Sequence, residues 1–217
     1  MKQSEDQSTI DAWAAPAVAS HYQALAPCTL NVVSGKRWLG SKTPDDVRSK
    51  QRTPKWLFNV LNKRYGGPDG FNLDAAADAD NSHCIAHYNE EQNSLLQDWA
   101  SYEYVFCNPP FDDLTPWVEK AIAECKLGKN VTVTMILPHD VSVAWANRAI
   151  INSAEIIHVI SDGKASGRVA FVDPISGKPR KKNNKGTMIC IFKSKKKMCK
   201  TLYLSRTAME AEGGGEY

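Results

Sequence analysis

The sequence predicts a doubly wound α/β sheet. Three observations carry that prediction. From Phe71 onward, strand-like and helix-like segments alternate. Residues 104–106 and 131–137 are apolar runs rich in β-branched and aromatic side chains, as strands buried on both faces are. Two Thr-Pro pairs, Thr53-Pro54 and Thr115-Pro116, open amphipathic segments as capped helices do.

The elements follow in order. Residues 1–45 form an N-terminal extension in which Ile10, Trp13, Ala17 and Val18 have a rough helical spacing that Pro16 interrupts. Trp38-Leu39 is expected to pack on the main domain. Thr53 serves as N-cap and Pro54 as first helical residue of a helix whose Trp56, Leu57, Val60 and Leu61 share a face, ended by Gly66-Gly67-Pro68. A strand over 71–74 runs into Ala75-Ala76-Ala77, and residues 81–93 read as loops. The strand ending at Cys107 is followed by a helix with Trp117, Ala121, Ile122 and Cys125 on its apolar face, ended by Gly128. After the strand over 131–137 come a helix over 141–152 and a strand over 155–160. From Ser161 two strands, 168–172 and 187–192, flank a basic loop. They predict a hairpin-like arm, 161–186, at the sheet edge near the catalytic face. The C-terminal tail over 201–217, with Gly213-Gly214-Gly215 near its end, is expected to be disordered.

Composition sets the bounds. The chain has 217 residues, 42% hydrophobic and 24% charged, with a net charge of +3, which fits a globular core. Its longest apolar runs are too short to span a membrane. The polar start, Met1 to Asp6, has no following apolar stretch, so no signal peptide and a cytoplasmic location are expected. Six cysteines without a C-x-x-C pair read as reduced core residues. His83, Cys84 and His87 have a loose spacing for a metal, and no metal site is expected. Lys178, Arg180, Lys181, Lys182 and Lys185 cluster, and Lys193, Lys195, Lys196, Lys197 and Lys200 follow. Such density is either the footprint of a polyanion partner or a solvated basic loop and edge strand.

The chemistry centres on Asn108-Pro109-Pro110-Phe111. The prolines end sheet pairing and make a rigid turn at the C-terminal edge, where open α/β folds bind ligands. An exocyclic amine on a base is a poor nucleophile because its lone pair is delocalised. The Asn108 side-chain oxygen and the Pro109 carbonyl could take its two hydrogens and localise that pair, while Phe111 stacks on the ring. Asp74, at a strand end, could accept from an amino-acid ammonium or cap a helix; taken alone, the cap is favoured. Asp98 could accept from an adenine amine or serve as a turn aspartate.

In order, Thr53-Pro54, Asn72-Leu73-Asp74-Ala75-Ala76, Asp98-Trp99 and Asn108-Pro109-Pro110-Phe111 resemble the phage-type, Dam-like DNA N6-adenine methyltransferases over about residues 40–195. Trp117-Val118-Glu119-Lys120-Ala121, Leu137-Pro138 and Gly167-Arg168 before Phe171 fit the same family. The resemblance implies a Rossmann-like S-adenosyl-L-methionine-dependent sheet with helices on both faces, spanning 46–200. It implies that Thr53 and Pro54 hold the methionine end of the cofactor, that Asp74, Ala75 and Ala76 line its pocket, and that Asp98 approaches its adenine. Residues 108–111 would hold a flipped adenine of double-stranded DNA. Arg168, Lys178, Arg180, Lys181, Lys182 and Lys185 would grip the duplex. The usual fourth-motif tyrosine is Phe111 here. The ribose-binding acid has no clear match; Glu90 and Glu91 are candidates by position alone. Cytosine N4, RNA or a glutamine amide could be the acceptor with the same motif, and a non-catalytic DNA-binding protein is the competing class. Asn108 in the first motif position favours adenine by analogy, and the basic arm favours nucleic acid.

Overall fold

The computed structural model describes residues 50–180, 183–195 and 198–215. All lie in one compact unit. The expected N-terminal helices, the packing of Trp38-Leu39 and the boundary near residue 45 lie outside the described residues, as do Lys181, Lys182, Lys196 and Lys197. No helix among the described residues is long and apolar enough to cross a membrane.

The elements run α1 (Lys55–Tyr65), β1 (Leu73–Asp74), β2 (Ala86–His87), a 3-10 turn (Ser94–Leu96), β3 (Tyr104–Cys107), α2 (Thr115–Leu127), β4 (Thr132–Pro138), α3 (Ala144–Asn152), β5 (Glu155–Ile160), β6 (Thr187–Lys193), β7 (Lys200–Ser205) and α4 (Arg206–Gly213). The seven strands form one sheet in the order β2-β1-β3-β4-β6-β5-β7. Every neighbouring pair is parallel except those of β6, which runs antiparallel to both β4 and β5.

Side chains alternate across a strand, and both faces are covered. On one face Val133, Met135, Leu137, Met188 and Cys190 pack with Val118, Ala121 and Ile122 of α2 and Ala146 and Ala149 of α3. On the other, Phe106, Ile136, Ile157, Ile189 and Ile191 pack with Trp56, Leu57, Val60 and Leu61 of α1 and Met209 of α4. The expected α/β sheet with helices on both faces is the architecture found.

Several boundaries differ from expectation. Pro54 is the N-cap of α1, with extended ψ 141°, so the helix starts one residue later than the Thr-Pro pair predicts. The expected strand over 168–172 is only an isolated bridge, in which Val172 pairs with Arg52 and with Pro179. The arm does not rise from the sheet edge either, because β6 sits between β4 and β5 in its interior. The expected disordered tail is instead β7 and α4. Leu202 and Leu204 pack on the α1 face, and the Ser205 hydroxyl caps α4 by accepting from the Ala208 N–H. The Asn59 amide donates to the Gly213 carbonyl at 3.0 Å. A side chain at Gly213 would collide with the Trp56 backbone, so the glycine read as a sign of disorder permits close helix packing. Cys107, Cys125 and Cys190 are buried and unbridged, whereas Cys199 is exposed rather than in the core.

Candidate active site

Short strands bring the site together. β1, β2 and β3 end at the same edge, and the chain beyond each is pinned by backbone bonds. The Ala75 N–H donates to Phe106, the Tyr88 N–H to Asp74, and the Ala77 N–H to Tyr88, at 2.8–3.1 Å. With methyl side chains at 75–77, this backbone forms a wall that a ligand can approach closely. A cleft of about 470 Å³ opens against it. Its lining includes Ala76, Ala77, Tyr88, Glu90, Asn108, Pro110 and Trp117. A volume in the range of 300–1,000 Å³ suits a nucleoside-sized ligand. At its inner end a small cavity of about 20 Å³ is lined by Arg52, Thr53, Asp74, His83 and Asn108.

Asn108 stands where the cleft meets that cavity. Its Nδ2 donates to the Gln51 carbonyl at 3.3 Å. Its Oδ1 is buried and has no hydrogen-bond partner among the described residues. A buried acceptor left unpaired costs about 1–3 kcal/mol. Pro109 is buried and Pro110 reaches the cleft. The half-buried Phe111 ring meets Phe171 edge to face, with centroids 6.0 Å apart.

Asp74 is 2% exposed. Its carboxylate receives only two long backbone bonds, from Ala76 at 3.5 Å and His83 at 3.3 Å. Burial pushes its pKa up from 3.8 to about 6, against the opposing pull of those two N–H groups. Asp74 lines the inner cavity and caps no helix, unlike the cap that it reads as alone. Arg52 pairs with Asp80, yet its buried Nε has no partner. The His83 ring stacks on Phe58 at 4.4 Å and points Nε2 toward the Thr53 carbonyl at 3.4 Å.

The remaining expected cofactor residues are partly displaced. Thr53 and Asp74 line the inner cavity, and Ala76 lines both spaces. Pro54 and Ala75 are buried behind the wall and line neither space. Asp98 is exposed and outside the lining; its Oδ1 accepts from the N–H groups of Ala100 at 2.8 Å and Ser101 at 3.2 Å, the turn role. Sequence reading passed over Gln51 and Arg52, which precede the Thr-Pro signal by two and one residues. Glu90 lines the cleft three residues past β2, and Lys50 stands 3.5 Å from its carboxylate.

The basic arm is partly self-paired. The Lys185 ammonium is 3.0 Å from Asp140 and the Arg180 guanidinium 3.6 Å from Asp173. The exposed Arg168 donates to the Asn183 carbonyl at 3.1 Å. Lys178 is exposed and has no ion pair among the described residues. Lys181 and Lys182 lie outside them.

Residues 40–215 match the family described as DNA N-6-adenine-methyltransferase (Dam). A protein of Escherichia phage T1 named DNA N-6-adenine-methyltransferase is 37% identical over 213 residues, covering 90% of this chain and 87% of its own length. A protein of the same name from Haemophilus phage HP1 (strain HP1c1) is 29% identical over 175 residues, covering 80% of this chain and 96% of its own.

Proposed function

The chain belongs to the Dam family of DNA N-6-adenine-methyltransferases, and from that premise we propose that it methylates the N6 amine of a flipped adenine in double-stranded DNA, with S-adenosyl-L-methionine as donor. The observation that carries this reading is the buried, unpartnered Asn108 Oδ1 at the junction of the cleft and its inner cavity.

The donor set fits the cofactor. The inner cavity offers an under-coordinated carboxylate, Asp74, for an ammonium and the free Nε of Arg52 for a carboxylate, a match for a zwitterionic amino-acid end. Glu90 reaches the cleft from beyond β2, where its carboxylate can accept from vicinal hydroxyls. Tyr88 and Trp117 supply aromatic surface on the same cleft. S-adenosyl-L-methionine supplies an electrophilic methyl group on a sulfonium.

The chain's own part is to position and polarise the acceptor. The Gln51 carbonyl holds the Asn108 amide so that Oδ1 faces away from it, fixing which end of the amide meets the substrate. That oxygen and the Pro109 carbonyl take the two N6 hydrogens and draw the nitrogen lone pair out of the ring. Phe111, braced by Phe171, offers its face to the base. Lys178 and Arg168 approach the phosphates. The duplex is unstacked before transfer, at roughly a few kcal/mol.

The test is transfer of labelled methyl from S-adenosyl-L-methionine to unmethylated duplex DNA, followed by nucleoside analysis of the product. Label is expected in N6-methyl-2′-deoxyadenosine, and Asn108→Ala is expected to lose it while still retaining DNA in a binding assay. Label in N4-methylcytosine would overturn the base assignment. Undiminished transfer by Asn108→Ala would overturn the mechanism.

A further inference from the structure

Ile175 is 81% exposed, yet the backbone that carries it is fixed. The Asp173 carboxylate accepts from the N–H groups of Ile175 and Ser176 at 3.1 and 2.9 Å. The Asp173 N–H donates to the Lys178 carbonyl at 3.0 Å, and Gly177, at φ +64°, returns an N–H to the Asp173 carbonyl at 2.9 Å. Single exposed apolar residues are ordinary on a protein surface. This one differs in being held out on a closed turn, after Pro174 and beside the exposed Lys178.

The base of the turn is wired to the catalytic loop. Phe171 packs on Phe111, and Val172 bridges Arg52. Arg52 follows Gln51, whose carbonyl holds Asn108. Four residues separate Phe171 from Ile175, so their Cα atoms are at most about 14 Å apart.

We propose that Ile175 is a wedge that enters the base stack beside the target adenine and holds open the gap left when that base flips. The inference rests on the flipped-adenine reading above. An apolar side chain driven into a step unstacks it, which lowers what extrusion still has to overcome. The strap 50–53 sets both the depth of the wedge and the place of Asn108, so the two act on the same nucleotide. Lys178 holds the neighbouring phosphate while the step opens.

The full chain carrying Ile175→Ala or Ile175→Phe is assayed for methyl transfer to two duplexes. In one the target adenine is paired; in the other it faces an abasic site and is already half released. Ile175→Ala is expected to lose roughly ten-fold or more on the paired duplex and little on the abasic one. Ile175→Phe is expected to keep activity on both. With 2-aminopurine at the target position, the rise in fluorescence on binding is expected to shrink in Ile175→Ala and persist in Ile175→Phe. Equal loss on both duplexes would mean that Ile175 only supports the arm, and no loss on either would mean that it enters no stack; each overturns the wedge. Wild-type protein that methylates neither duplex overturns the underlying reading and the wedge with it, whereas wild-type transfer with an indifferent Ile175→Ala overturns the wedge alone.

Discussion

The two halves of the sheet are built for different ends. β4, β6 and β5 are seven, seven and six residues long, and most of their side chains are buried and apolar. β1, β2 and β3 are two, two and four residues long. They stop early: Asp74 ends β1, and Asn108 directly follows β3. In the long half the one buried polar atom without a partner is the Thr134 hydroxyl. In the short half, with its strap, Asp74 is desolvated and Arg52 Nε and Asn108 Oδ1 lack partners. One half stabilises the fold; the other holds polar groups at a cost.

Substitutions should therefore act with opposite signs in the two halves. The largest effect is expected in the long half. Ile189, fully buried between the sheet and α1, should cost about 2–5 kcal/mol as Ile189→Ala, measured by denaturant unfolding. A loss below 1 kcal/mol would break the contrast.

In the short half, Asp74→Asn should stabilise. Burial raises the Asp74 carboxyl from 3.8 to about 6. Between those pH values the folded chain holds a proton that the unfolded chain has lost, so stability falls as pH rises through that window. The full penalty, on the order of 3 kcal/mol, is present above about pH 6 and absent below about pH 4. The melting temperature of Asp74→Asn should thus exceed that of the wild type at pH 7.5 and match it near pH 4, while its stabilisation by S-adenosyl-L-methionine is lost. A difference that does not change with pH would show that the carboxylate carries no such cost.

The smallest effect separates the cations of the arm. Lys178→Ala should lower the salt slope of DNA binding by about one unit, as one phosphate contact does. Lys185→Ala should change it less, because Asp140 already faces that ammonium. Equal slopes would sharpen the picture differently, by showing that DNA displaces the internal pairs.

Legibility in the sequence followed the same division. β4, β5 and β6 were readable because strands buried on both faces need unbroken apolar runs. β2 was not, because two half-buried residues leave no period to detect. The position of β6 in the sheet interior was hidden as well, since its sequence says that it is buried but not between which neighbours. β7 and α4 were misread because polar residues and glycines outnumber the apolar ones there; the alternation of Leu202 and Leu204 and the cap at Ser205 were the available signals. Within the site, Asn108 and Asp74 stood out as polar residues that end strands. Arg52 and Glu90 enter it through loops whose course only the folded chain reveals, and Asp98 had the same local signature as an ordinary turn aspartate.

The antiparallel course of β6 has a consequence for how such a chain can change. Because β5 runs up to the catalytic edge and β6 starts from it, with His158 opposite Met188, both ends of the arm leave neighbouring strands at one place. The arm is in effect a cassette. Residues between those ends can be lengthened, shortened or exchanged without shifting the register of any strand, provided that the partner of Arg52 at Val172 is kept.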